Sequence, residues 1–438
     1  MMESLEQYLR HHAETMPGKI AVQAHDAAIT YRQLWNDVTA EAEAISRDPR
    51  RAIVLKADRG WRFIGSYLAT HLAGKVVVPV EKDIPDDKFK AIDKLVNTVG
   101  MDARVSDVLF TTGTTGKQKG TMISQQVILA DADNLINAQG FSPELLFIIT
   151  GPLNHIGSLS KIWPSIIVGA TIYVMDGIKD PDAFFSVIEN SPVKVATFQV
   201  PASLRILLQL GHDRLAALAH KIDFIETGAA PISQSDMEAM CRLLPDTRLY
   251  NTYASTETGI IATHNFNDGH CVAGCLGTVM KNSVLEINPD GFIECAGPTV
   301  MLGYCGDPEE TARILIDGRI VTRDKGTIDD CGRLQLSGRD DDVINVGGFK
   351  VNPIEVEDVA MDIPAIADCI CIAAPHPVLG WALRLLYQVE NGCQLDNKSI
   401  ARHMASKLER YKVPHLYTRV DKINRTYNGK LDRKSYRE

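Results

Sequence analysis

Residues 111–120 read Thr-Thr-Gly-Thr-Thr-Gly-Lys-Gln-Lys-Gly, and these are residue types that bind phosphate. Thr hydroxyls donate hydrogen bonds, Lys adds positive charge, and Gly allows backbone amides to approach an anion closely. The apolar runs 108–110 and 121–123 predict a strand, a polyphosphate-binding loop and a second strand. A flexible polar hairpin would have the same composition. The run is not a Walker A loop, because Gln118 follows Lys117 where that motif has Ser or Thr.

A second polar segment, residues 251–259, combines an aromatic ring, hydroxyls and one carboxylate at a predicted strand end. Tyr253 could stack on a nucleobase, and Thr256 with Glu257 could hold Mg²⁺ on phosphate oxygens. Taken alone, Glu257 is also explained as a solvated or capping carboxylate. Residues 225–231 place small side chains directly after a strand, which predicts either a tight turn or a backbone shelf for a flat base.

Three charged residues later in the chain are further candidates. Asp324 lies near a predicted strand end, where its carboxylate could accept from both ribose hydroxyls, and Arg339 could donate to ribose or phosphate. Lys430 sits on an Asn-Gly turn near the C-terminus. Taken singly, a residue of each of these kinds is more often a solvated surface residue, and Lys430 matters only if a small domain closes over the nucleotide.

Composition narrows the class of protein. The 438 residues are 45% hydrophobic and 23% charged, as in a globular protein that buries a large core. The net charge of −9 argues against a nucleic-acid partner, and no apolar run reaches the length of a membrane span. The N-terminus lacks the apolar core of a signal peptide, so a cytoplasmic location is expected.

Nine cysteines are scattered along the chain, as expected in a reducing compartment. The close pairs Cys271/Cys275 and Cys369/Cys371 lack C-x-x-C spacing. We expect no histidine cluster to face them. Cys369 and Cys371 alternate with isoleucines, which predicts small core residues in a buried strand.

The elements that must position these candidates alternate between strands and helices, which predicts an α/β fold with mostly parallel strands. From about residue 278 short strands with Gly/Asp turns predict an antiparallel, β-barrel-like subdomain. The charged segment 338–342 is the predicted hinge before a small, mobile α+β C-terminal domain. We therefore predict a large N-terminal domain over 1–338 and a small lid domain over 339–438. The predicted strands are 52–55, 76–80, 108–110, 146–150, 171–175, 195–198, 224–226, 284–287, 292–296, 318–322, 330–336 and 367–373, and the predicted helices are 61–72, 182–189, 202–210 and 398–408.

The ordered motifs resemble those of the adenylate-forming superfamily, which includes acyl- and aryl-CoA ligases, the adenylation domains of peptide synthetases, and luciferase. The motifs are closest to those of acyl- or aryl-CoA ligases. The resemblance implies a two-step reaction in which a carboxylate attacks the α-phosphate of Mg·ATP to give acyl-AMP and pyrophosphate, and a thiol then attacks the acyl-AMP to give a thioester. The matching segments are 73–79, 109–120, 228–231, 253–257, 297–304, 322–324, 338–342, 347–357 and 428–433.

The resemblance also implies roles for individual residues. Catalytic roles fall to Lys430, which would bridge the carboxylate and the α-phosphate, and to Thr256, Glu257 (the Mg²⁺ ligand) and His155. Asp341 matches the hinge about which the small domain turns. The thiol tunnel would contain Gly347, Gly348 and Lys350. ATP or AMP would be bound by Thr111, Thr112, Gly113, Thr114, Thr115, Gly116, Lys117, Lys119, Gly228, Ala229, Ala230, Tyr253, Asp324 and Arg339.

The chain departs from the family pattern in three places. About 29 residues separate Pro79 from Leu109, fewer than is usual, so we expect a trimmed first subdomain with the site intact. Arg323 stands where the family usually has Gly, so the local turn must differ. Ala254 stands where Gly is common, and its methyl group would narrow the acid pocket or the adenine site.

The acid substrate is expected to be apolar or aromatic and of modest size. Residues 151–158 resemble the Pro-Leu-x-His pattern of acyl- and aryl-CoA ligases and carry no Asp that would grip an α-ammonium group, so an amino acid is disfavoured. His155 would face the substrate carboxylate, or else be structural. The candidate pocket residues are His155, Ile156, Trp163, Phe198, Val200, Pro201, Gly228 and Ala254.

The expected acceptor is CoA, because Lys350 could meet a CoA phosphate. Phosphopantetheine on a carrier protein acting in trans would use the same tunnel and stays open as an alternative. A third possibility is an enzyme that stops at the adenylate or passes it to an amine. A remote alternative is a nucleotide-binding relative that has lost catalysis. Oligomeric state is not readable from the sequence.

Overall fold

A computed structural model of the 438-residue chain describes residues 2–58, 60–112, 118–178, 180–347, 349–377, 380–426 and 431–436. This part of the chain contains 24 strands and 14 α-helices. In chain order the strands are β1 Ile20–Ala24, β2 Ala27–Thr30, β3 Ala52–Ala57, β4 Val76–Glu81, β5 Val105–Thr112, β6 Gln118–Ser124, β7 Leu146–Ile149, β8 Thr171–Val174, β9 Val195–Gln199, β10 Ile222–Gly228, β11 Arg248–Ser255, β12 Gly259–Asn265, β13 Cys275–Val279, β14 Val284–Ile287, β15 Phe292–Ala296, β16 Gly303–Tyr304, β17 Leu315–Ile316, β18 Arg319–Ile328, β19 Leu334–Arg339, β20 Ile344–Val346, β21 Phe349–Val351, β22 Ile366–His376, β23 Gly380–Val389 and β24 Leu416–Arg419.

The helices begin at favourable capping residues in several cases. Ser4, Thr30, Ser124, Asp180, Ser233 and Asp396 each accept a backbone N–H of the first turn. The helices are α1 Leu5–Thr15, α2 Tyr31–Ser46, α3 Trp61–Leu72, α4 Asp86–Thr98, α5 Gln125–Gln139, α6 Ile156–Leu159, α7 Ile162–Val168, α8 Pro181–Asn190, α9 Pro201–Leu210, α10 His212–Leu218, α11 Gln234–Leu243, α12 Pro308–Ile314, α13 Pro353–Met361 and α14 Asn397–Lys407. None of these helices is long and apolar enough to cross a lipid bilayer.

The largest sheet has fourteen strands, and its strand pairing changes from parallel to antiparallel along the sheet. Strands β1, β8, β7, β9, β10 and β11 pair in parallel, and their buried residues form apolar cores on both faces. From β11 onward the pairing through β12, β13, β19, β18, β15 and β14 is antiparallel. The predicted α/β fold is confirmed, whereas antiparallel pairing begins at β12, earlier than the predicted change near residue 278.

A second sheet, in the order β16-β6-β5-β4-β3, carries the two strands on either side of the Thr/Gly/Lys run. β5 and β6 are antiparallel, with Thr111 opposite Lys119 and Thr112 opposite Gln118. The predicted pair of flanking strands is therefore correct. Residues 113–117, between them, lie outside the described part of the chain.

A buried polar network holds β5 against the helices. The Nε2 of His71 in α3 lies 2.6 Å from Oδ1 of Asp107 in β5, and its Nδ1 lies 3.3 Å from Oε1 of Glu6 in α1. The Tyr67 hydroxyl donates to Asp107 and accepts from the Trp163 indole, at 2.8 and 3.0 Å. Burial alone lowers the pKa of His71, but the two carboxylates raise it to about 10, so the imidazole is charged in the folded protein.

The C-terminal residues form a separate three-stranded sheet, β22-β23-β24, packed with α13 and α14. Asn352 caps α13 and Pro353 opens it, as the sequence predicts. Arg205 in α9 lies 3.4 Å from Asp368 in β22, and Gln209 donates to Glu390 at 2.5 Å, so α9 contacts this unit. The boundary between residues 338 and 339 stays a prediction.

Two sequence expectations are wrong in detail. Asp324 does not lie near a strand end: it stands inside the ten-residue strand β18, where the backbone pairs with β19. Cys275 does face a histidine cluster, because His264 and His270 lie beside it. Cys369 and Cys371 are buried in β22, which agrees with the predicted core strand.

Candidate active site

The carboxyl ends of β9, β10 and β11 lie side by side and carry most of the candidate residues. Parallel strands in one sheet end at a common edge, so residues after each strand converge there although they are far apart in sequence. Val200 follows β9, Gly228 ends β10, and Ala254 lies in the last two residues of β11. This edge is the candidate active site.

Tyr253, Asp324 and Arg339 meet at this edge. The Tyr253 hydroxyl donates to Oδ2 of Asp324 at 2.8 Å, and Nε of Arg339 lies 3.2 Å from Oδ1. The register of β18 against β19 places Asp324 directly opposite Arg339. Burial, and then the Asp324 carboxylate, raise the pKa of Tyr253 well above its usual value, so the phenol stays a neutral donor. The structure thus brings together three of the residues predicted for the nucleotide.

The small residues after β10 form a strained, exposed turn. Ala229 has φ of 66°, a left-handed conformation that is uncommon for a residue with a Cβ. At Gly228 an added Cβ would lie 2.7 Å from the Thr252 carbonyl oxygen, so only glycine fits. Backbone strain of this kind concentrates at functional sites. Ala230 is partly exposed beside it, so this turn can offer bare backbone to a planar ligand.

Glu257 lies just beyond the end of β11, and its Oε1 accepts the Tyr304 hydroxyl at 2.9 Å. The Met301 amide donates to the Glu257 carbonyl, and the Leu302 amide donates to Met122 of β6. The segment 297–304 therefore ties the strand end bearing Glu257 to the strand that leaves the Thr/Gly/Lys run. Tyr304 was not predicted as a site residue from the sequence, although it is the last residue of the matched segment 297–304.

Lys119 of β6 lies in the same cluster. Its ammonium is 5.1 Å from the centre of the Tyr304 ring and forms an ion pair with Glu310. Arg313 first, and then Lys119, lower the pKa of Glu310 to about 2, so the carboxylate is ionised. To bind phosphate, the Lys119 ammonium must therefore interact with the phosphate and with the Glu310 carboxylate at the same time.

The candidate acid pocket is built around Phe198 in β9. An added Cβ at Gly157 would lie 3.1 Å from the Phe198 ring, and one at Gly228 would lie 3.7 Å from it. Ile156, Val200 and Ala254 are partly buried apolar residues packed on the same core. Pro201 opens α9. His155 directly precedes α6 and is partly exposed.

Trp163 lies deeper than the pocket candidates. Its side chain is fully buried in the main core, and its indole donates to Tyr67. It belongs to the network behind β5.

Beneath Phe198 lies an ion pair that sequence reasoning missed. The ammonium of Lys161 is 2.9 and 2.7 Å from the two carboxylate oxygens of Glu226, and both side chains are at most 2% exposed. Glu226 stands opposite Phe198 in the pairing of β10 with β9, and the Lys161 ammonium lies 5.2 Å from the centre of that ring. In the sequence, Lys161 stands among apolar residues directly before α7, and Glu226 stands in an apolar strand. Neither local pattern indicates which residue is the ion-pair partner.

The C-terminal candidates are only partly described. Lys430 and Gly348 lie outside the described residues. Asp341 is in a short 3₁₀ turn, Asp340–Asp342, and Gly347 and Lys350 lie in the hairpin of β20 and β21. Gly347 has φ of 56°, which favours glycine.

Arg433 lies three residues after Lys430 and ties this end of the chain to α13. It donates two 2.6 Å hydrogen bonds to the Glu357 carboxylate and has its Nε 3.7 Å from Asp342. From the sequence, Arg433 is only the last residue of the matched segment 428–433, and no contact was predicted for it.

Comparison with known proteins agrees with this architecture. Residues 103–305 match the model of the AMP-binding enzyme family, and residues 355–430 match that of the AMP-binding enzyme C-terminal domain. Together the two ranges cover more than half of the chain. The chain belongs to the AMP-binding, adenylate-forming enzyme family. The two matched models lie on either side of the predicted hinge.

The relatives of this chain are named for different reactions. Indoleacetate–CoA ligase of Aromatoleum aromaticum (strain DSM 19018 / LMG 30748 / EbN1) is 30% identical over 344 residues, which are 76% of this chain and 66% of that protein. The chain therefore spans just under two thirds of that relative. D-alanine–D-alanyl carrier protein ligase of Bacillus cereus (strain B4264) is 25% identical over 501 residues, covering 99% of this chain and 98% of that one. ATP-bound MatB from Rhodopseudomonas palustris has the same fold, with a TM-score of 0.87, 22% identity, and coverage of 100% and 99%.

Proposed function

We propose that this protein activates a carboxylic acid with ATP and transfers the acyl group to a thiol. The acid's carboxylate oxygen attacks the α-phosphorus, the bond to the β-phosphate breaks, and pyrophosphate leaves with that electron pair. The thiol then attacks the acyl carbon of the mixed anhydride, and AMP leaves. The observation that carries the proposal is the cluster of Tyr253, Asp324 and Arg339 beside the turn Gly228–Ala230, in which Ala229 is exposed.

The nucleoside would lie on this cluster. Asp324 offers carboxylate oxygens to the ribose hydroxyls, and Arg339 beside it balances the charge of this partly buried carboxylate and can donate to ribose or phosphate. Tyr253 and the turn at Ala229 would border the adenine. These groups are already positioned by β11, β18 and β19, so little ordering is needed when ATP binds.

The triphosphate would lie along the Thr/Gly/Lys run, with Thr111–Thr115, Lys117 and Lys119 as donors. Mg²⁺, when bound, neutralises phosphate charge, and a carboxylate such as Glu257 is the kind of ligand it takes. The Tyr304 hydroxyl holds Glu257 in a fixed orientation. Lys430 would carry the positive charge between the acid and the α-phosphate, and Thr256 would assist at the phosphate.

The acid would lie against Phe198, Gly157, Gly228 and Ala254, with His155 near its carboxylate. This lining supports an apolar or aromatic acid of modest size. The Lys161–Glu226 pair lies under Phe198 and is at most 2% exposed, so it supports this apolar wall without lining the pocket. An aromatic acid is also the substrate named for the Aromatoleum relative.

CoA is the proposed acceptor, with its pantetheine arm passing Gly347 and Gly348 and its phosphates near Lys350. A carrier-protein phosphopantetheine is the alternative, favoured by the carrier protein ligase that covers nearly the whole chain. We place the reaction in the cytoplasm, where its nine free cysteines would stay reduced.

The test is ATP–pyrophosphate exchange over benzoic, cinnamic, indole-containing, fatty and amino acids, followed by product analysis with CoA. Exchange with one acid class and formation of its CoA thioester would support the proposal. Exchange without a CoA product would shift the acceptor to a carrier protein or an amine. ATP binding without exchange for any acid would favour a relative that has lost catalysis.

A further inference from the structure

Two histidines and a cysteine form a compact cluster at the turn between β12 and β13, and none of the three is a candidate active-site residue. His264 is the second-to-last residue of β12, His270 lies in the turn, and Cys275 opens β13. One ligand atom from each lies within 4.8 Å of the others. His264 and Cys275 are buried, and His270 is partly exposed, so the cluster has access from solvent.

The hydrogen bonding at His264 is that of a metal-ligating imidazole. Its Nε2 lies 2.8 Å from the carbonyl oxygen of His270. A carbonyl oxygen can only accept, so Nε2 carries the proton and Nδ1 keeps its lone pair. Histidines that bind metals commonly donate their other ring N–H to a backbone carbonyl, which fixes the tautomer.

The backbone explains why these residues meet. A Cβ added at Gly277 would lie 2.0 Å from the Thr263 carbonyl oxygen and 2.7 Å from the His264 Cβ, so glycine lets β13 approach β12 closely beside His264. Gly277 has φ of 73°, and the pairing of β13 with β19 shifts register between Cys275 and Gly277, so the strand is irregular next to Cys275. The Asn251 side chain donates to the Cys275 carbonyl at 3.1 Å and fixes the end of β13 on β11.

The nearby Cys271 turns the other way. Its sulfur lies 3.9 Å from that of Cys241 in α11. Cys271 is therefore not one of the three residues of the cluster. Its neighbour Cys241 also lies outside the cluster and is a matched control for substitution of Cys275.

We propose that His264, His270 and Cys275 bind one Zn²⁺ ion. Two imidazoles and a thiolate are the ligand types that Zn²⁺ prefers, and a water molecule would complete its tetrahedron. The Asp268 carboxylate accepts from the His270 amide at 3.2 Å and orders the turn around the site. Binding would release the Cys275 proton to solvent. The inference is independent of the proposed ligase activity.

The role of this ion would be structural. His264 stands opposite Asn251 in the pairing of β12 with β11, and Tyr253 follows two residues later. A metal joining both ends of the turn 266–274 would stiffen the sheet edge next to the nucleotide site without touching substrate. Chelation should therefore lower Tm more than it lowers the rate at a temperature well below Tm.

The test is the metal content of the purified full-length chain, together with Co²⁺ substitution. We expect about one zinc per chain and, with Co²⁺, an absorption band from sulfur-to-cobalt charge transfer. His270→Ala and Cys275→Ser should each lose the zinc, and Cys275→Ser should lose the charge-transfer band. Cys241→Ser and the exposed Cys331→Ser should keep both.

Equal Tm values of all variants in EDTA would show that the substitutions leave the fold intact. His270→Ala is the safer variant because its side chain is only partly buried. Wild-type protein with no more zinc than Cys275→Ser would overturn the site. Loss of the zinc in Cys241→Ser would overturn the ligand set.

Discussion

The Tyr253 hydroxyl donates a 2.8 Å hydrogen bond to Asp324 across 71 residues of sequence. Tyr253 comes from β11, at the end of the parallel part of the large sheet, and Asp324 comes from β18 in its antiparallel part. The bond therefore joins the two parts of the sheet at the point where the proposed ribose site lies. The same carboxylate also meets Arg339, so this position is fixed from two directions.

Replacing Asp324 tests the ribose assignment. Asp324→Ala should lower kcat/KM for ATP by roughly 10- to 100-fold, because a charged hydrogen-bonding group is worth about 1.5–3 kcal/mol. Tyr253→Phe removes one neutral bond and should cost less. Steady-state kinetics at saturating acid measures both, and an unchanged kcat/KM for ATP in Asp324→Ala contradicts the assignment.

The bond between Tyr304 and Glu257 predicts a change in magnesium dependence. Tyr304→Phe keeps the ring under Lys119 but releases Glu257, so half-maximal pyrophosphate exchange should need more Mg²⁺. Glu257→Gln should lower exchange further. A magnesium titration at fixed ATP is the measurement. An identical titration curve for Tyr304→Phe and wild type would show that the bond has no part in metal binding.

The Lys161–Glu226 pair predicts a strongly non-additive double mutant. Lys161→Met leaves an unpaired buried carboxylate and should destabilise the protein by about 3–5 kcal/mol. Adding Glu226→Gln should restore much of that loss, because no buried charge then remains. Urea unfolding measures the stabilities. Additive losses would mean that the two side chains do not interact.

Asp358 in α13 predicts a pH-dependent stability. Burial, and then the neighbouring Glu357 and Asp362, raise its pKa from 3.8 to about 7. The unfolded chain therefore loses this proton at lower pH than the folded one, and the carboxyl costs stability progressively as pH rises from about 4 to about 7. Below that window both states hold the proton and the cost is absent.

Asp358→Asn should consequently raise Tm above pH 7 and matter least near pH 4. Thermal unfolding from pH 4 to pH 8 is the measurement. Asp421→Asn, which removes an exposed carboxylate, is the matched control. A Tm difference between Asp358→Asn and wild type that is constant with pH would contradict the raised pKa.

Local patterns predicted much of the fold. The helix Trp61–Leu72 and the strands Val284–Ile287 and Phe292–Ala296 occur where the sequence places them, because each buries one apolar face. The sequence placed Asp324 near a strand end, and the structure places it inside β18, while its role at the ribose stays a prediction. The pairing of β18 with β19 shifts register between Lys325 and Gly326, an irregularity that the sequence pattern did not indicate.

The residues that were missed share one property. Tyr304 meets Glu257 across 47 residues, and Lys161 meets Glu226 across 65. Neither contact leaves a local period or spacing, so only the folded chain shows it. His264, His270 and Cys275 were missed for the same reason, because the turn and not a short motif brings them together.

We propose that the acid attacks ATP in this site with the help of Lys430. Pyrophosphate exchange by Lys430→Ala with the best acid, measured alongside transfer of the chemically made acyl-AMP to CoA, tests this role. We expect exchange to fall to background while thioester formation from the acyl-AMP persists. Full exchange activity in Lys430→Ala would contradict the role of Lys430 in the attack on ATP.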